Sequence, residues 1–139
     1  MANYLTVKNG IAGRLNALGY SESSQTIEFK NAPANEYGNC YIIKCLSGEN
    51  QNNSIIDRFD DSQEWQILIA FVRSGQNDVM QYDAAQLAKD AIIKDLDKPA
   101  NWTSFVKMLK YSKFSISETP NYFIVDIRLS ILDTYIHGN

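Results

Sequence analysis

A chain of 139 residues with 45% hydrophobic and 21% charged side chains has the composition of a globular domain, which excludes global disorder and leaves enough chain to bury a core without disulfide or metal staples. A formal charge of -3 and a pI near 5.1 exclude the basic footprint of a nucleic-acid-binding domain. No run approaches the about eighteen apolar residues of a membrane span, and the N-terminus lacks a secretory pattern, so the expectation is one domain over residues 1–139 that matures in a cytoplasm.

Tyr4, Val7, Ile11, Leu15 and Leu18 recur at helical spacing behind a cap candidate at Asn3, with Gly19 where a C-terminal cap belongs. Gly10 and Gly13 interrupt this amphipathic helix at a cost of about 1 kcal/mol each, a cost that close approach of another backbone would explain. Residues 21–24 read as a polar connector and residues 25–29 as a short strand, stopped by Asn31, Pro33, Asn35 and Gly38. Residues 40–46 form a second strand, apolar on both faces apart from Lys44. Cys40 and Cys45 lie on it five apart and point to opposite faces, as free thiols.

The run S-G-E-N-Q-N-N-S at 47–54 has nothing apolar to bury, so it reads as a hairpin tip or loop. Residues 55–59 resume the strand before an acidic approach made of Asp57, Asp60, Asp61 and Glu64. Residues 65–73 are a strong strand. Trp65, Ile67, Ile69 and Phe71 make one face, and Leu68, Ala70 and Val72 leave the other apolar too, the mark of a central strand covered on both sides.

After a turn at 74–78, Met80, Ala84, Leu87, Ala88, Ala91 and Ile92 fall on one stripe of a second helix. Beyond Pro99, Trp102, Phe105, Val106 and Leu109 predict a short third helix behind Asn101. Phe114 and Ile116 alternate with Ser115 and Ser117, and Thr119-Pro120-Asn121 turns the chain into its longest strand, with which that segment pairs as a hairpin. There Phe123, Val125, Ile127, Leu129 and Ile131 share one face and Asp126, Arg128 and Ser130 the other, so the sheet has one wet side. The fold class is therefore α+β: a twisted, mostly antiparallel sheet of about five strands with two or three helices packed on it, in the order α-β-β-β-α-(α)-β-β.

Catalytic and cofactor signatures do not emerge. His137 stands alone near the C-terminus without a nucleophile motif, and S-G-E-N and R-S-G-Q are single-glycine turns and not phosphate cradles. The two cysteines and His137 are too few for zinc, and the acidic group matches no calcium loop and lacks its glycine, so no metal and no cofactor are expected. Lys94, Lys98, Lys107, Lys110 and Lys113 sit among Asp90, Asp95 and Asp97 and read as a solvated face. The aromatics Trp65, Tyr82, Trp102, Phe105, Tyr111 and Phe114 read as core in preference to a stacking platform.

In its element order, and in the segments I-A-G-R-L-N-A-L, E-W-Q-I-L-I-A-F-V with Y-D-A-A-Q-L-A-K-D-A-I, and N-Y-F-I-V-D-I-R-L-S-I-L-D-T-Y, the chain resembles the tail terminator (tail completion) proteins of long-tailed bacteriophages. The resemblance implies a non-enzymatic virion protein, assembled in the host cytoplasm at the head-proximal end of the tail. It implies a homo-oligomeric ring, hexameric in that family, that caps the tail tube, meets the head connector and lets DNA pass through its channel without specific binding or any membrane contact. On that reading Glu49, Asn50, Gln51, Asn52, Asn53, Asp57, Asp60, Asp61 and Glu64 belong to a subunit interface or to the channel wall. A neck protein joining portal to tail shares this logic, and a non-viral cytoplasmic ligand-binding module on an α+β scaffold is the second alternative.

Overall fold

A computed structural model of the chain describes residues 4–23, 36–50, 58–74, 77–98 and 108–136. The elements run α1 (Tyr4–Ala17), β1 (Ser21–Glu22), β2 (Cys40–Asn50), β3 (Arg58–Val72), α2 (Asp78–Leu96), β4 (Met108–Glu118) and β5 (Tyr122–Ile136). One five-stranded sheet has the order β1-β2-β3-β5-β4, antiparallel throughout except for the short parallel pair β1–β2. The α+β class expected from the sequence is the observed one, with β3 at the centre of the sheet.

Helix α1 buries Val7, Ile11 and Leu15. It ends as the sequence predicts: Gly19 takes φ 99°, Tyr20 N–H donates to the Leu15 carbonyl at 3.1 Å and Gly19 N–H to that of Asn16 at 3.0 Å, a Schellman closure that a side chain at Gly19 would strain. Gly13 is different from the expectation, since a Cβ there would meet nothing within 4 Å; no backbone approaches it, and the residue lies on the exposed side of the helix.

Both helices pack on the same face of the sheet. Val7, Ile11 and Leu15 from α1 and Ala85, Ile92 and Leu96 from α2 join Tyr41, Ile43, Trp65, Ile67, Ile69, Phe123, Val125, Ile127, Leu129 and Ile131 in one core. Burial of a Leu, Ile or Phe side chain contributes roughly 1.5–3 kcal/mol, so the alternating residues of β3 and β5 dominate the stability. The second face of the sheet, here called the open face, carries a smaller cluster of Ile42, Leu68, Ala70, Tyr122 and Ile124 at one end. Tyr122 fixes the chain against that end, its hydroxyl accepting the Glu36 and Tyr37 backbone N–H groups at 3.0 and 2.9 Å.

Several boundaries differ from the sequence reading. Ser21 and Glu22, expected in a connector, pair with Cys40 and Tyr41, because Ser21 N–H donates to Asn39 O and Ser23 N–H to Tyr41 O. Ser47–Asn50, expected in a loop, continue β2 past a bulge at Leu46, and Asp60, Asp61 and Glu64 lie inside β3. Backbone ladder hydrogen bonds form whatever the side chain, so polar composition does not keep these residues out of the strands. Likewise β4 begins at Met108, so Leu109 is a strand residue opposite Ile131 and not the end of a helix. The expected strand at 25–29 and most of the expected third helix, with Trp102, Phe105 and Val106, lie outside the described residues.

The largest correction concerns α2. Its buried residues are Ala85, Lys89, Ile92 and Leu96, whereas Met80 is 70% and Leu87 69% exposed and Ala84 and Ala91 are also exposed. The helix carries two apolar stripes and turns the less branched one outward. Lys89 occupies a core-facing position by laying its stem over β4, with Nζ 3.8 Å from the Phe114 ring centroid and 2.8 Å from Asp90 Oδ1.

Candidate assembly surface

Of the residues singled out from the sequence, the described ones, Glu49, Asn50, Asp60, Asp61 and Glu64, gather at one end of the sheet. Register places Glu49 opposite Ser62, Asn50 opposite Asp61, Ser47 opposite Glu64, and Glu64 opposite Ser130. Gln51, Asn52, Asn53 and Asp57 lie outside the described residues, as does His137, and the side chains of Asn50 and Asp60 are likewise not described. Strand alternation then separates the acids. Asp61 shares the helix face with Gln63 and Trp65, while Glu64 projects from the open face. Two carboxylates on opposite faces of a strand do not converge on one ion, and among the described residues no group of three His, Cys, Asp or Glu side chains is placed to hold a metal.

Each of these carboxylates has a partner. Gln63 Nε2 donates to Asp61 Oδ2 at 2.8 Å and Trp65 Nε1 donates to Gln63 Oε1 at 2.8 Å, a chain running along β3 from the buried indole to the strand end. On the open face Arg128 spans Asp126, at 2.9 Å, and Glu64, at 3.1 Å. Hydrogen bonding to Asp126, reinforced by the charge of that carboxylate and by Glu64, raises the Arg128 pKa. Neighbouring Gln66 Nε2 donates to Asp126 Oδ2 at 2.8 Å. An open groove of about 520 Å³ crosses the strands here, bordered by Ser47, Glu49, Ser62, Glu64, Lys113 and Ser130. Its lining combines serine hydroxyls with Glu49, Lys113 and the Glu64 carboxylate that Arg128 holds.

The lysine group is divided by the fold. Lys94 and Lys98 lie at the end of α2, and Lys110 and Lys113 are exposed on β4, opposite Ser130 and Arg128. Trp65 is a core residue, fully buried with the Tyr4 ring stacked on it at 5.5 Å and 17°. Cys40 pairs with Ala70 and Cys45 with Trp65, so the two free thiols do face opposite ways. Desolvation of its thiol by neighbouring atoms raises the Cys45 pKa, although the residue as a whole is exposed, and this keeps it away from a reactive thiolate.

Two further features complete the surface. The first is the stripe Met80, Ala84, Leu87 and Ala91 on α2, which the sequence reading grouped with Ala88 and Ile92 and which the fold turns outward while Ile92 is buried. The second is the pair of sheet edges. Among the described residues β1 pairs with Cys40 and Tyr41 of β2, and Cys45–Glu49 are all exposed; at the other end β4 is the outermost described strand, with Ser112–Ser115 exposed. No helix among the described residues is long and apolar enough to cross a membrane. No protein-family model matches the chain, and no curated protein matches it.

Proposed function

We propose that this protein is a structural ring subunit of a long-tailed bacteriophage, a tail terminator that caps the tail tube and joins it to the head connector. The observation that carries this reading is that its sheet leaves both edges unpaired among the described residues while α2 turns a second apolar stripe outward. Unpaired edges and exposed apolar stripes are surfaces that take protein partners. Met80 and Leu87 then face the tube or the connector, and the acidic strand ends with Glu49, Asp61 and Glu64 face the subunit boundary or a channel in which DNA slides because acidic walls repel phosphate. The protein acts by geometry and not by catalysis. A neck protein built the same way differs only in what it touches.

Mass in solution over a concentration series, followed by addition to purified tail tubes, tests the proposal. The expected result is a closed ring of defined mass that binds tube ends and stops their elongation. A monomer at all concentrations that leaves tube growth unchanged overturns it, and small-molecule saturation of the monomer would favour the ligand-binding module instead.

A further inference from the structure

We infer that the ring closes by β-sheet continuation, the β4 edge of one copy adding antiparallel to the β2 edge of the next, with Lys113 opposite Glu49. This rests on the ring reading and specifies its contact. Strand directions permit it: β4 runs parallel to β3 and antiparallel to β2 through the intervening antiparallel pairs. A second copy set beside the first in the same orientation therefore brings β4 against β2 as an antiparallel pair. Such a contact is heterologous, and heterologous contacts make rings when the rotation closes.

Register follows from face and charge. Side chains directly opposite in a sheet share a face; Lys113 and Ser115 are on the open face with Ser47 and Glu49, while Phe114 and Gly48 are on the helix face. Pairing Lys113 with Glu49 sets Phe114 against Gly48 and Ser115 against Ser47. Once the bulge has taken up Leu46, it sets Ser117 against Lys44 and Glu118 against Ile43. Gly48 presents no side chain to the incoming Phe114, which is 40% exposed in the single copy. The same register carries Lys89, held 3.8 Å from the Phe114 ring centroid, toward Asp61, whose carboxylate lies 2.8 Å from where a Gly48 Cβ would be. One register thus matches cations on β4 and α2 to anions of the β2–β3 end on both faces.

The limits of the two edges agree as well. Asp97 accepts the Tyr111 N–H at 3.4 Å, so among the described residues the unpaired part of β4 begins at Ser112, and on β2 the partner strand would stop at Ile43, short of the two residues that pair with β1.

Cysteine cross-linking tests the contact in the full chain with Cys40→Ala and Cys45→Ser as background. Oxidation of a mixture of Ser47→Cys and Ser115→Cys proteins, both exposed positions, is expected to give covalent dimers, while either protein alone stays uncrosslinked and the double variant gives a covalent ring. Glu49→Lys is expected to raise the half-assembly concentration about tenfold and Lys113→Glu in the same chain to restore it. Cross-linking of Ser115→Cys alone would show a symmetric contact and overturn the proposal. Rings that form without cross-links and ignore Glu49→Lys also overturn it while leaving the ring reading intact, whereas a strict monomer removes both.

Discussion

Gln63 is the residue on which the far end of the helix-face core depends. It is 5% exposed and accepts the indole N–H of fully buried Trp65 while donating to Asp61. Gln63→Leu removes the acceptor of that buried indole N–H, a loss of about 1–3 kcal/mol, and chemical denaturation should show a lower midpoint with unchanged slope. A variant as stable as the parent would mean that water reaches the indole. Lys89 shows what a one-dimensional reading misses at this scale. In sequence it is a surface lysine between Ala88 and Asp90, yet the fold buries its stem and parks its ammonium on an aromatic ring, a contact worth about 0.5–1 kcal/mol or more that no spacing rule announces.

At the scale of elements, α2 makes the sharpest forecast. If Ile92 is core and Leu87 is a docking residue, Ile92→Ala costs about 2–5 kcal/mol, whereas Leu87→Gln changes folding stability by no more than about 0.5 kcal/mol and impairs only assembly on the tube or connector. Thermal unfolding of the two variants separates these roles, and a large loss of stability in Leu87→Gln would return that stripe to the core. The strands were easier to read than their ends. Alternation in Phe123–Ile131 and Trp65–Phe71 named the core face correctly because burial on one side of a sheet enforces period two. The polar residues Ser47–Asn50, Asp60 and Asp61 gave no such signal, since they are held in the strands by backbone ladder bonds that composition does not encode.

For the whole molecule, the two helices are tied together by one bidentate pair, Arg14 Nε and Nη2 to Asp95 Oδ1 and Oδ2, both at 2.8 Å. The hydrogen bonds from Arg14 hold the Asp95 pKa below its ordinary value near 3.8. A carboxylate whose folded pKa is depressed stabilises the fold fully above its unfolded pKa and loses that contribution as pH falls through the folded value. Asp95→Asn should therefore lower the unfolding temperature at pH 7, and the gap to the parent should shrink as pH drops below about 4. A gap that is the same at pH 7 and at pH 2.5 would mean that the pair contributes through packing and not through charge.

The sequence by itself determined the α+β class, the capped first helix, the alternating faces of β3 and β5, the β4–β5 hairpin and the opposite facing of Cys40 and Cys45, because period and cap chemistry are local and survive projection onto one dimension. It also marked Glu49, Asp61 and Glu64, but as a loop and an acidic approach and not as the strand residues they are. Only the tertiary structure decided which of the two apolar stripes of α2 points inward, that Asp61 and Glu64 part to opposite faces, and that, among the described residues, β4 and the part of β2 beyond β1 are left without a strand partner on one side. Those facts depend on which elements lie beside one another, and the pairing of β3 with β5 across an intervening helix and strand is a contact between residues fifty or more positions apart that local pattern does not carry.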